Sequence, residues 1–213
     1  MSSIADIRKE YKKETLLENS VDADPIVQFG KWWNEALQSE IEEVNAMTLA
    51  TATVSGIPSA RIVLLKEYGN EGFVFFTNYE SRKGNELLGN AKACLVFFWK
   101  ELERQVRIWG VVEKIPASAS DTYYSSRPRE SQLGAWASAQ STVIAGREVI
   151  EERLLQFQQQ FGNEPIPRPE CWGGYIVKPQ SIEFWQGRPG RLHDRIQYDL
   201  QEKEGWKIER LAP

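Results

Sequence analysis

Cations and hydroxyls stand at the ends of two neighbouring apolar runs. Arg61-Ile62-Val63-Leu64-Leu65-Lys66 is the first, and Phe73-Val74-Phe75-Phe76-Thr77-Asn78, followed by Ser81-Arg82-Lys83, is the second. Tyr68-Gly69-Asn70-Glu71-Gly72 between them supplies turn residues, so the pair reads as a β-hairpin. Ser81 is suited to cap a helix running through Leu87 and Leu88, which sets Arg82 and Lys83 at its positive N-terminus. Backbone donors, a helix terminus and several cations together describe a phosphate pocket. A hairpin with solvated cations fits the same residues. Arg61 and Lys66, five apart, would point to opposite faces of an ideal strand, so one ligand reaches both only over a strand end or a bulge.

Two further clusters carry the same chemistry. In Tyr123-Tyr124-Ser125-Ser126-Arg127-Pro128-Arg129-Glu130-Ser131-Gln132, the residues Tyr123, Arg127 and Ser131 follow at offsets of four and suit a second phosphate clamp or an ordinary helix end. In Arg191-Leu192-His193-Asp194-Arg195, a strand would put Arg191, His193 and Arg195 on one face, where two guanidiniums around the single histidine call for an anion or water. A solvated edge strand, partly neutralised by Asp194, is the plainer reading. Gln105 inside a strand run needs polar partners, Gln140-Ser141 stands at a predicted helix start, and Trp185 offers a wall for a planar ring. Other chemistries fail. The sequence has no phosphate-loop, dinucleotide or nucleophile-elbow motif, one histidine cannot build a multi-histidine zinc site, and no cysteine pair has ligand spacing.

The elements that must position these groups follow from periodicity. Asp24-Pro25 opens a helix whose apolar stripe is Ile26, Phe29, Trp33, Leu37 and Ile41. Strand runs are expected at 47–54, 93–99, 103–114, 174–177, 181–186, 192–200 and 206–211, beside the central hairpin. Helices are expected at 118–126 and from Ser141 to Phe161, the latter with the stripe Ile150, Leu154, Phe157 and Phe161. Short strands with helices inserted predict an antiparallel barrel, mainly β with peripheral helices, and the lack of regular βα alternation argues against a doubly wound sheet. Residues 1–22 read as a flexible arm and 23–213 as a single domain.

The chain of 213 residues has 41% hydrophobic residues, enough for a sizeable core, and a net charge of −4 that argues against non-specific nucleic-acid binding. Any anion site must therefore be a local concentration of cations. Cys94 and Cys171 read as two reduced thiols. The first twenty residues are charged throughout and no apolar run approaches membrane-spanning length, so a cytoplasmic protein without a membrane partner is expected.

Taken in order, Arg61 to Lys66, Phe75-Phe76-Thr77-Asn78, Ser81-Arg82-Lys83, Glu103-Arg104-Gln105-Val106, Ser126 to Gln132, Phe184-Trp185-Gln186-Gly187, Arg191 to Arg195 and the closing Glu209-Arg210-Leu211-Ala212-Pro213 resemble the pyridoxamine 5′-phosphate oxidase family. The resemblance implies an FMN-binding split β-barrel, antiparallel and Greek-key-like. It implies a homodimer with FMN at the interface. The implied reaction oxidises pyridoxamine 5′-phosphate or pyridoxine 5′-phosphate to pyridoxal 5′-phosphate, with dioxygen as acceptor and hydrogen peroxide as product. Residue by residue, it implies FMN contacts from Arg61, Ile62, Val63, Leu64, Leu65, Lys66, Phe76, Thr77, Arg82, Lys83, Gln105, Gln140, Ser141, Trp185 and Arg195. It assigns the substrate phosphate to Lys66, Tyr123, Arg127 and Ser131, and places Arg191, Leu192 and His193 over the substrate ring, with Arg191 and His193 nearest the chemistry. Phe76 stands where many members have Tyr, and Arg8-Lys9-Glu10-Tyr11 resembles an Arg-Arg-Glu-Tyr run with Lys in place of one Arg. Another split-barrel flavin reductase, or a non-catalytic binder of FMN or pyridoxal phosphate, would share part of this pattern.

Overall fold

The structure, a computed structural model, describes residues 3–6 and 9–213. Helix α1 (Pro25–Leu37) starts as its sequence dictates: Asp24 accepts a hydrogen bond from the Ile26 N–H at 2.7 Å, and Pro25 takes the first position, where no N–H is needed. Its buried stripe is Ile26, Phe29, Trp32 and Ala36, whereas Leu37 faces solvent and Ile41 lies past the helix end. The expected stripe was thus one residue out of phase at Trp33.

The strands are β1 (Ala46–Ala52), β2 (Pro58–Leu64), β3 (Glu67–Gly69), β4 (Gly72–Asn78), β5 (Lys92–Trp99), β6 (Arg104–Lys114), β7 (Trp172–Gln186), β8 (Asp194–Gln201) and β9 (Gly205–Arg210). They hydrogen-bond in the order β2-β1-β5-β6-β7-β4-β3, with β8 added on β7 and β9 on β8. The fold is therefore mainly antiparallel β with peripheral helices, as expected, and five α-helices are present among the described residues. Two details differ. The predicted hairpin is formed by β3 and β4, with Tyr68 opposite Phe73, while Arg61 to Leu64 belong to β2, which pairs with β1. β7 is one strand through Pro179, because its first half pairs with β4 over 172–177 and its second with β8 over 181–186, and Pro179 falls between the two registers.

Contacts group the chain into two compact units, where the sequence reading expects one domain. One unit comprises Met1–Leu49, Cys94–Gly110 and Pro179–Pro213. Its core is aromatic: Phe29 lies 5.3 Å from Phe97, Trp32 meets Phe184 edge-on at 5.2 Å, and the Trp99 indole N–H donates to the Val44 carbonyl. Arg104 is buried against the Trp32 ring and bonded to Glu35 and Gln186. The stretch expected to be a mobile arm is anchored here. Leu16 is buried, Lys12 and Lys13 donate backbone N–H groups to Glu103, and Arg210 grips Glu18 and the Leu16 carbonyl. Met1 and Arg8 lie outside the described residues.

The other unit comprises Ala50–Ala93 and Val111–Lys178. Its helices are α2 (Arg82–Gly89), α3 (Ala117–Ser125), α4 (Arg129–Ala137) and α5 (Glu148–Phe161). α3 to α5 enclose a small core of Tyr124, Leu133, Ile166 and Trp172, covered by Trp136, Leu154, Phe157 and Phe161. α4 was not anticipated, and α5 starts seven residues later than expected, at Glu148 instead of Ser141. Ser141 takes φ 72°, a left-handed conformation that no helix accommodates. Both cysteines are free thiols, and among the described residues no helix is long and apolar enough to cross a membrane.

Gly72 turns β3 into β4 with φ +136°, and a Cβ there would collide with the Val177 carbonyl oxygen. Gly72→Ala is therefore expected to destabilise the protein by about 2–3 kcal/mol, read from the denaturant midpoint. A change below about 0.5 kcal/mol would contradict the stated backbone geometry.

Candidate active site

A cavity of about 1070 Å³ opens within the second unit. β2 supplies Arg61, Ile62, Val63 and Leu64; β4 supplies Phe76 and Thr77; the start of α2 supplies Arg82 and Lys83. Tyr123 on α3, Arg127 in the α3–α4 turn, Ser131 on α4 and the Gln140-Ser141 loop complete the opposite wall. β2 ends at Leu64, Leu65 turns inward and is buried, and the Lys66 N–H donates to the Val74 carbonyl. That break resolves the geometric difficulty at Arg61 and Lys66, because both side chains line the same cavity. Leu65 itself is core and does not line it, so its expected ligand contact is not found in its side chain.

One end of the cavity is built for an anion. Lys83 is buried and donates to Gln140 Oε1 at 2.8 Å, Thr77 Oγ1 at 3.1 Å and Ser81 Oγ at 3.2 Å. Ser81 caps α2 as expected, its hydroxyl accepting the Gly84 N–H. Burial pushes the Lys83 amine down to about 8, Arg61 pushes the same way, and Glu86 opposes them. The Arg61 guanidinium bonds Thr51 and Ser59 and approaches Glu86 at 3.4 Å, while Arg82 bonds Glu86 at 2.9 Å.

The other end is aromatic and cationic. Phe76 stacks on Tyr123 at 4.0 Å and on Trp172 at 5.4 Å. The Arg127 guanidinium lies 4.6 Å over Trp172, and its buried Nη1 has no hydrogen-bond partner. Burial lowers its pKa, and the Nη1 donor of this cation is left without an acceptor. Among the described residues, the cavity lining holds Arg61, Lys66, Arg82, Lys83 and Arg127 and no carboxylate. An orphaned guanidinium and an all-cationic lining fit a ligand with phosphate groups and a planar ring.

The first unit carries the remaining expected residues. Arg191 is not on a strand face with His193 and Arg195. It closes a short 3₁₀ turn, Pro189–Arg191, with φ 63°, while β8 begins only at Asp194. The Gly190-Arg191 pair in left-handed conformation prevents an extended run. Arg191 and Leu192 are exposed. His193 accepts the Arg188 N–H at Nδ1, which leaves Nε2–H as the donor of its neutral tautomer. Burial and then the Arg191 charge hold its pKa below the ordinary value. Trp185 lies 4.6 Å from His193, and Tyr11 packs against both rings. Arg195 forms a two-point ion pair with buried Glu183 and donates to the Ala212 carbonyl. Gln105 is half-buried on β6.

Trp172, Glu86 and Glu183 were not singled out from the sequence. Glu86 had a signal in its position four residues after Arg82 on one helix, whereas Trp172 is placed by pairing of β7 with β4 and Glu183 by pairing of β7 with β8, which leave no local trace.

Comparison with known proteins decides the family. Residues 33–161 match the model described as pyridoxamine 5′-phosphate oxidase, and residues 172–213 match that of the pyridoxine 5′-phosphate oxidase C-terminal dimerisation region. The chain belongs to the pyridoxamine 5′-phosphate oxidase family. Relatives named pyridoxine/pyridoxamine 5′-phosphate oxidase include one from Nostoc sp., 57% identical over 99% of both chains, and one from Cupriavidus metallidurans, 56% identical over 100% of both. Among solved structures, PhzG from Burkholderia lata, in complex with tetrahydrophenazine-1-carboxylic acid, is 28% identical with a TM-score of 0.87, covering 94% of this chain and 99% of that one. A pyridoxamine 5′-phosphate oxidase-related, FMN-binding protein from Nostoc punctiforme has a TM-score of 0.71 at 15% identity, covering 91% of this chain and 100% of its own, and supports the split-barrel fold alone. Within this pyridoxamine 5′-phosphate oxidase family member, the first matched region spans Arg61 to Ser141 of the cavity, and the second spans Trp172, Trp185, Arg191, His193 and Arg195.

Proposed function

We propose that this chain is an FMN-dependent oxidase that converts pyridoxamine 5′-phosphate and pyridoxine 5′-phosphate to pyridoxal 5′-phosphate. Dioxygen is the acceptor and hydrogen peroxide the product, with water consumed and ammonia released when the amine is the substrate. It works as a cytoplasmic homodimer with FMN at the subunit interface. Full-length identity of 57% to a relative of that name supports the reaction, and the dimerisation-region match over 172–213 supports the dimer. The observation that carries the reading is the cavity: a cationic end at Lys83, an orphaned cation at Arg127, and no carboxylate in the described lining.

Arg61, Arg82 and Lys83, with Thr77, Gln140 and Ser141, hold the FMN phosphate. Ile62, Val63 and Leu64 of β2 and Lys66 beyond its end flank the cofactor, Leu65 backs them from the core, Phe76 packs beside it, and the resemblance assigns Gln105, Trp185 and Arg195 to it as well. When bound, FMN would supply the two-electron redox chemistry that links oxidation of the substrate's exocyclic carbon to reduction of dioxygen. Lys66, Tyr123, Arg127 and Ser131 grip the substrate phosphate. Each charge-assisted contact contributes about 1.5–3 kcal/mol, enough in combination to fix one position of the ring. The resemblance assigns Arg191 and Leu192 to that ring, and the neutral His193 would offer Nε2–H to a polar ring substituent.

Because His193 titrates below its ordinary value, it stays neutral as pH falls through 6.5 and charges only below that. The acid limb of kcat/KM is expected below pH 6.5, and His193→Asn should remove it. A limb above pH 6.5, or one unchanged in the variant, would contradict this role. The reaction itself is tested by supplying FMN and pyridoxamine 5′-phosphate and recording oxygen uptake with aldehyde formation. Equal amounts of both are expected; flavin reduction without aldehyde would refute the assignment.

A further inference from the structure

The cavity's anion end has a carboxylate behind it. Glu86 lies on α2 and is buried, and it does not line the cavity. Its Oε1 accepts Arg82 Nε at 2.9 Å, and its Oε2 accepts the Ser59 and Thr51 hydroxyls and approaches Arg61 Nη2 at 3.4 Å. Thr51 and Ser59 also accept from Arg61, so the two hydroxyls, the carboxylate and the guanidinium form one closed network. A negative charge so near an anion site weakens binding by simple Coulomb repulsion, and its value must lie elsewhere. The Arg82 side chain is mostly exposed and would otherwise sample many rotamers, each lost on binding.

We propose that Glu86 is the positioning residue of the phosphate end: its carboxylate fixes the Arg61 and Arg82 guanidiniums before the cofactor arrives and stands as the counter-charge behind Lys83. The inference rests on the reading of this end as the FMN phosphate site.

Burial works against ionisation of Glu86, yet bonds from Ser59, Thr51, Arg82 and Arg61 outweigh it and hold the carboxyl at about 2, so it stays charged throughout the working range. The charged groups around Lys83 are Arg61 from β2 and Arg82 and Glu86 from α2; Thr77 on β4, the Ser81 cap and Gln140 are neutral partners. Phosphate favours the charged amine. With Lys83 near 8, FMN affinity should be level at neutral pH and fall by about tenfold per pH unit above that value. Glu86→Gln removes the one group that raises Lys83, so the break moves to lower pH. An amide has one accepting oxygen and a donating NH2 in place of the other, so Arg82 or Arg61 is released.

The experiment is FMN titration of the apoprotein by flavin fluorescence quenching from pH 6 to 9.5, with circular dichroism confirming folding. E86Q is expected to bind about tenfold more weakly at pH 7 with its break shifted down, and Arg82→Ala should weaken the wild type but add little in the E86Q background. A glutamate that positions nothing would leave Arg82→Ala as costly in the E86Q background as in the wild type. E86Q affinity within twofold of wild type with an unmoved break would overturn the inference alone. A wild-type chain that binds no FMN would overturn the flavin reading and this inference with it. Should E86Q fail to fold, Thr51→Val removes one hydroxyl from the network and is expected to weaken FMN binding by a smaller factor; unchanged binding there also overturns the inference.

Discussion

Arg191→Ala is expected to lower turnover of pyridoxamine 5′-phosphate by about two to three orders of magnitude while leaving FMN affinity within about twofold. The residue is exposed at the end of a 3₁₀ turn, with φ 63° that a side chain adopts only under constraint. A non-glycine residue in that conformation costs on the order of 1 kcal/mol, and relief of it by alanine is small because alanine carries the same Cβ. The proposed role is charge placed over the substrate ring, felt most as the exocyclic carbon gives up electrons, so the loss should fall on kcat. Stopped-flow measurement of the reductive half-reaction, with FMN titration alongside, checks the split. Equal losses in both would place Arg191 at the cofactor instead.

Arg127→Ala should reduce kcat/KM by about a hundredfold, chiefly through KM, because it removes one charge-assisted contact worth about 1.5–3 kcal/mol from the substrate phosphate. The same substitution removes a buried, unpartnered donor and a guanidinium 4.6 Å over Trp172. These act in opposite directions on stability, so ligand-free unfolding should change by less than about 1 kcal/mol. Loss of stability with unchanged KM would make Arg127 a packing residue of the Trp172 core.

Much of this was legible locally. Asp24-Pro25, the Ser81 cap and most strand runs depend on neighbouring residues and appear where their residues predict them, although 174–177 and 181–186 fuse into β7 and β8 starts only at Asp194. The grouping of Tyr123, Arg127 and Ser131 at intervals of four was also readable, although Pro128 breaks the helix and the residues face one cavity from α3, a turn and α4. What the sequence misplaced depends on tertiary pairing. Arg61 to Leu64 pair with β1 and not with the segment after the turn, since a three-residue strand, β3, takes that place. Arg191 left the strand because Gly190 and Arg191 adopt positive φ, and the arm from Tyr11 to Glu18 is held by Glu103, Asp194 and Arg210, residues far away in sequence.

The proposed function requires two phosphate sites, the cofactor's near Lys83 and the substrate's at Lys66, Tyr123, Arg127 and Ser131. Its most direct test compares kcat/KM for pyridoxamine 5′-phosphate with that for unphosphorylated pyridoxamine, using FMN-saturated enzyme and oxygen uptake as the signal. A preference of about a thousandfold or more for the phosphorylated amine is expected, falling by about a hundredfold in Arg127→Ala. Comparable rates on both amines would contradict it.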